Sequence, residues 1–153
     1  MKLAEALALR ADCQRRVEQL RARIAGSATY QEGAEPAEDA AALLVEADEV
    51  LDQLESLVRR INRTNSVTDL GADGTLTDAL ARRDALRLRH AVLVGAAEAA
   101  SGSGGYRQLR SELRQISALP VGQLRTRADV VARDVRELDA RIQQANWSVE
   151  LAD

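Results

Sequence analysis

Val121, Leu124, Ala128, Val131, Val135, Leu138, Ile142 and Ala145 recur at alternating intervals of three and four residues without a break. Only an α-helix brings positions so spaced onto one face, and a face that narrow and continuous has to lie against another helix. The same rhythm appears at two other places. Cys13, Val17, Leu20 and Ile24 carry it over Lys2 to Ala25, and extending the register backwards reaches Arg10, Ala6 and Leu3. Leu43, Ala47, Val50, Leu54, Leu57 and Ile61 carry it a second time, with Leu44, Leu51 and Val58 forming a neighbouring seam. A stripe of that width can meet two partners. A further helix spans Leu76 to Ala100.

The boundaries follow from local chemistry. Gly26 and Ser27 stop the first helix. Pro36 begins the second, at the first-turn position where its missing N–H costs nothing. Glu38 and Asp39 favour the positive end of that helix, and Asn62 to Asn65 end it, an asparagine serving as a left-handed cap. Thr75 followed by Asp78 reads as a capping box at the head of the third helix. Gly71 to Gly74 reads as a turn. Ser101 to Gly105 is a glycine–serine linker. Between it and Pro120, Leu109, Leu113 and Ile116 could mark a helical turn. The bounding glycines and proline favour an extended segment instead, paired with one near Tyr30. The expected fold is therefore mainly α: an elongated antiparallel bundle of four long helices in one domain over 1–153. A small β element from residues 28–32 and 107–117 completes it.

Composition restricts function more than it specifies it. The chain has no Phe, one Trp and two Tyr, and Lys2 is its only lysine. A net charge of −3 argues against general affinity for nucleic acid or anionic membranes. One cysteine, Cys13, permits no internal disulfide. Glu5 and Arg10 interrupt any leader-type apolar core, and no apolar run approaches the roughly 20 residues of a membrane span. A cytoplasmic location is the expectation. Charge is unevenly spread: Glu32 to Glu55 holds no basic residue, whereas Arg107 to Arg127 holds five arginines against Glu112 alone. The two blocks could attract one another, within a chain or between chains.

Three polar residues fall on seams meant for apolar ones: Arg10, Arg83 and His90. A charge there costs several kcal/mol unless it is paired. One reading makes them register-setting residues paired with Asp12, Asp84 or the acidic second helix. The other makes Arg10, Asp12, Asn62, Asn65, Arg83 and Asp84 a ligand site, with guanidinium forks gripping a carboxylate or phosphate and amides orienting it. The strings Val17–Ile24, Leu54–Ile61 and Val135–Ile142 share an apolar residue, Leu three on, and Arg-Ile. Asn65 and Asn146 each follow such an Ile by four, so two asparagines could meet at one end. Trp147 and Asn146 are expected to anchor the C-terminal helix. Cys13 lies on an apolar face and reads as a packed thiol. With one histidine, preceded at three by Arg87, no metal site or cofactor is expected, and no catalytic residue is identified.

Several strings, taken in order, resemble the septicolysin-like family of small bacterial helical proteins of unknown function. They are Leu7-Ala-Leu-Arg-Ala-Asp12, Gln31-Glu-Gly33, Pro36-Ala-Glu-Asp39, Arg60-Ile-Asn-Arg-Thr-Asn65 and Leu76-Thr-Asp-Ala-Leu-Ala-Arg-Arg-Asp84. Arg110-Ser-Glu112, Arg136-Glu-Leu-Asp139 and Arg141-Ile-Gln-Gln-Ala-Asn-Trp147 continue them. The resemblance implies a helical fold with a short extended segment near Arg110. It supplies no catalytic residues, and the family label implies pore formation, to which the residues themselves give little support. The functional expectations are a self-assembling helical structural or interaction protein; as the alternative, a protein or enzyme binding a small anion or metabolite; and, third in order, septicolysin-type pore formation.

Overall fold

The computed structural model describes residues 1–102 and 113–153. Four helices account for most of them: α1 (Leu3–Ser27), α2 (Ala40–Val67), α3 (Leu76–Ala100) and α4 (Val121–Ser148), with a short 3-10 turn at Gly71–Asp73. The chain forms two compact units, Met1–Thr68 with Ala145–Asp153, and Asp69–Gln144.

In the first unit α1 packs on α2. Arg16 reaches Glu46 and Arg23 reaches Glu38, so residue numbers fall on α2 as they rise on α1 and the pair is antiparallel. Leu3, Ala6, Cys13 and Leu20 are buried on α1, and Leu43, Leu57 and Ile61 on α2. Each fully buried leucine or isoleucine contributes about 1.5–3 kcal/mol. The C-terminal residues complete this unit. Leu3 N–H donates to Val149 O at 3.0 Å, Leu151 N–H to Met1 O at 2.9 Å, and Ala152 N–H to Thr64 Oγ1 at 2.9 Å. In the second unit Leu93 and Ala97 of α3 pack with Leu124, Ala128 and Val131 of α4, flanked by Leu86, Val94, Val121 and Val135. The heptad seams thus occupy the cores their spacing predicts.

Several boundaries move. The second helix starts at Ala40 rather than at Pro36, because Asp39 accepts hydrogen bonds from Ala41 N–H at 3.0 Å and Ala42 N–H at 3.1 Å. A carboxylate satisfying two orphan donors defines the start more strongly than proline's fixed φ. Nor does α2 stop in the asparagine run. Its helix continues to Val67, and no non-glycine residue among those described has a positive φ, so neither Asn62 nor Asn65 is a left-handed cap. The capping box at Thr75 forms: Asp78 N–H donates to Thr75 Oγ1 at 3.2 Å, and Thr75 N–H donates to Asp78 at 2.8 Å.

The expected β element is absent from the described residues. Residues 28–32 belong to an irregular loop turned at Gly33 (φ +85), and 113–117 form no strand. Residues 107–112 of that expectation lie outside the described residues. The exposed loop around Tyr30 offers no apolar alternation to hold a strand in register. Two isolated antiparallel bridges occur elsewhere, Lys2 with Glu150 and Asp69 with Thr75. No helix among the described residues is long and apolar enough to cross a membrane.

Candidate functional site

The densest charged cluster lies in the second unit, around a turn that glycine makes possible. Gly71 (φ +63) and Gly74 (φ +78) occupy backbone conformations that side chains disfavour. Asp69 accepts from Gly71 N–H at 2.8 Å, and Leu70 N–H donates to Gly74 O at 2.7 Å. The turn so fixed presents Asp73, whose side chain is only 6 % exposed, to two arginines. Arg82 Nη1 donates at 3.0 Å and Arg141 Nε at 2.6 Å, which joins α3 to α4 through one carboxylate. The hydrogen bond to Asp73 raises the Arg141 guanidinium above its ordinary value.

Farther along the same helices, Arg83 donates to Asp84 at 3.0 and 2.9 Å and lies 3.8 Å from Asp139. Arg87 donates to Asp139 at 2.8 Å. The structure therefore brings Arg83 and Asp84 together, and adds Asp73, Arg82, Arg87, Asp139 and Arg141. Sequence reasoning missed those five because their partners lie up to 68 residues apart. The one local signal was an aspartate between two glycines just ahead of a capping box.

In the first unit the remaining candidates separate. Arg10 lies six residues before Arg16, which places it level with about residue 52 of α2. Asn62 is then about 15 Å farther along the helix axis and Asn65 about 20 Å. Asp12 is exposed and pairs with Arg15, not with Arg10. Arg10 is half-buried, and its Nε is the one fully buried side-chain nitrogen or oxygen among the described residues with no hydrogen-bond partner. Asn146 is buried and Asn65 half-buried, yet no hydrogen bond joins them. Trp147 is not an anchor. Its side chain is 65 % exposed, because the seam steps from Ala145 to Val149 and Trp147 lies off it. Closure comes instead from Leu151 and from Arg60, whose Nε donates to Ala152 O at 2.8 Å, with Arg63 donating to Asp153.

The acidic block finds basic partners on α1. Arg16 Nε donates to Glu46 at 2.9 Å and Arg23 Nε to Glu38 at 3.0 Å. The bond from Arg23 holds Glu38 below the usual carboxylate range. Asp48, Glu49 and Asp52 stay exposed on the outer side of α2. There α1 and α2 leave an apolar groove of 860 Å³, lined by Val17 and Ile24 opposite Leu44 and Leu51, and rimmed by Glu18, Arg21 and Asp48. Leu44 is 53 % exposed. The second seam of α2 is therefore not consumed by packing on α1.

Cys13 is buried as a thiol on the α1 seam. His90 is half-buried in the other unit, and no hydrogen bond among the described residues orients its ring. No cluster of metal-ligating side chains occurs among the described residues.

No curated protein matches the chain. Among solved structures it is similar to one described as a "functionally unknown conserved protein from Corynebacterium diphtheriae". The two are 41 % identical, align over 99 % of each chain and superpose with a TM-score of 0.93. Residues 10–151 match a family described as "Family of unknown function (DUF6847)". Both findings overturn the septicolysin-like assignment. The strings that suggested it are short, and several, such as Leu7–Asp12 and Leu76–Asp84, are runs rich in Arg, Ala, Leu and Asp that amphipathic helices in an arginine-rich chain share. The chain belongs to the family of unknown function DUF6847.

Proposed function

We propose that this chain is a helical interaction protein that assembles with copies of itself. The groove of the first unit carries the reading. Val17 and Ile24 are seven residues apart on α1, as are Leu44 and Leu51 on α2, so the groove repeats with the period a further helix would fill. Its rim bears both signs. Asp48 makes no ion pair among the described residues, and Arg21 pairs only with Glu18 one turn away. Two copies placed groove to groove about a two-fold axis can set Arg21 of each against Asp48 of the other, the self-complementarity that an isologous contact requires.

The native mass of the untagged protein tests the proposal. We expect a defined multimer, and a lower copy number for the Leu44→Glu, Leu51→Glu variant at unchanged helical content. A wild-type chain that stays monomeric at micromolar concentration sinks the reading.

One atom favours a second reading, in which the chain takes up a small anion. A half-buried arginine whose Nε has no partner is costly, and a carboxylate or phosphate bound there would satisfy it. This reading expects an excess mass per chain in the same spectrum, lost in Arg10→Ala. A spectrum showing bare chains in phosphate-containing buffer counts it out.

A further inference from the structure

The side of α3 turned away from α4 is as regularly apolar as the side that packs. Ala81, Ala85, Leu88, Val92, Gly95 and Ala99 recur at intervals of four and three, and all six are exposed. Leu88 is 70 % exposed and Val92 69 %. The inward seam of the same helix runs through Ala79, Leu86, Leu93 and Ala97. A helix apolar on both sides is covered on both sides in its working state. The first face has α4. Among the described residues of the second unit nothing covers the other from Ala81 to Gly95, while Ala99 borders a pocket it shares with Gln115 to Leu119.

We infer that a second copy of this chain covers it, the two α3 helices pairing parallel and in register as a short coiled coil. The inference rests on the self-assembly proposed above and places a contact on a different face.

Three observations select this occupant. In heptad terms Ala85, Val92 and Ala99 take position a, and Ala81, Leu88 and Gly95 take position d. A β-branched residue at a with leucine at d is the combination that favours two parallel strands. The flanking charges agree. Asp84 falls at position g and Arg89 at position e, so an in-register parallel pair sets Asp84 of each copy against Arg89 of the other. Among the described residues Asp84 forms an ion pair only with its neighbour Arg83, and Arg89 forms none. Antiparallel pairing about His90 would instead set Arg89 against Arg89. The third observation is Gly95. Glycine inside a helix costs about 0.8–1 kcal/mol relative to alanine. A Cβ built at Gly95 meets nothing within 4 Å, so the chain's own packing does not require a glycine. A partner backbone approaching at that layer does.

Cysteine cross-linking distinguishes the arrangements, because a disulfide needs Cα atoms within about 7 Å. In a Cys13→Ala background, Ala85→Cys alone should oxidise to a covalent dimer, since position a meets itself across a parallel pair. If A85C cross-links only when mixed with G95C, the helices are antiparallel and the proposal is overturned. Leu88→Glu with Val92→Glu should lower the native copy number at unchanged helical content. Asp84→Arg should weaken the assembly, and the exchange of both charges, Asp84→Arg with Arg89→Asp, should restore it. An assembly insensitive to L88E/V92E but broken by L44E/L51E refutes the α3 contact and leaves self-assembly standing. A monomeric wild type refutes both.

Discussion

At the scale of single residues, Asp73 and Arg10 are opposite cases. Asp73 is nearly buried but accepts from two arginines, so its charge is matched where it sits. Removing it leaves two guanidinium groups without their shared acceptor. We expect Asp73→Ala to lower unfolding stability by about 1.5–3 kcal/mol, the range for hydrogen bonds to charged groups. Urea denaturation at pH 7 should show this as a lower midpoint at constant slope; a midpoint within error of wild type would show the cluster to be ornamental to folding. Arg10 has no such acceptor among the described residues. Its oddity was legible in the sequence, because it breaks an apolar seam whose period is otherwise clear. The importance of Asp73 was not, because its partners Arg82 and Arg141 sit on α3 and α4 and nothing in a local window links them. Of the six proposed ligand-site residues, only Arg83 and Asp84 are joined by a hydrogen bond. They are adjacent in the chain, which spacing alone could not distinguish from a solvated pair.

At the scale of elements, periodicity located the helices and side-chain chemistry decided their ends. The core seams of α1, α2 and α4 were readable because alternating steps of three and four place their residues on one side. The start of α2 was misplaced by proline's preference, which ranks below the two hydrogen bonds Asp39 accepts. The outer seam of α3 was overlooked because Ala81, Ala85 and Gly95 carry little hydrophobic signal beside Leu88 and Val92. The Thr75–Asp78 box, by contrast, was visible at once and has a consequence in acid. The hydroxyl and N–H of Thr75 hold the Asp78 carboxyl below its ordinary value of 3.8. A carboxyl lowered in the folded state stabilises it above the unfolded value, and that contribution is lost as pH falls through the lowered one. Thr75→Ala should therefore shift the acid limb of the unfolding transition to higher pH, with little pH-dependent difference between the two proteins above about pH 5. Coincident acid limbs would mean the box does not govern the head of α3.

At the scale of the whole molecule, helix content and number could be read from the sequence, whereas the division into two units could not. Heptads say that a helix needs a neighbour without saying which. The pairings came from charges at long separation, Arg16 with Glu46 and Arg87 with Asp139. The same limit explains the mistaken β element: a gap in periodicity says where helices stop, and not what replaces them. One end of the first unit is tied by Lys2, whose ammonium lies 2.7 Å from Glu150 and donates to Ser148 O at 3.0 Å. Since no other lysine exists in the sequence, acylating reagents find their single side-chain target in that clasp. A surface or dye coupled through Lys2 would hold every molecule by the same end, and would loosen the clasp in doing so.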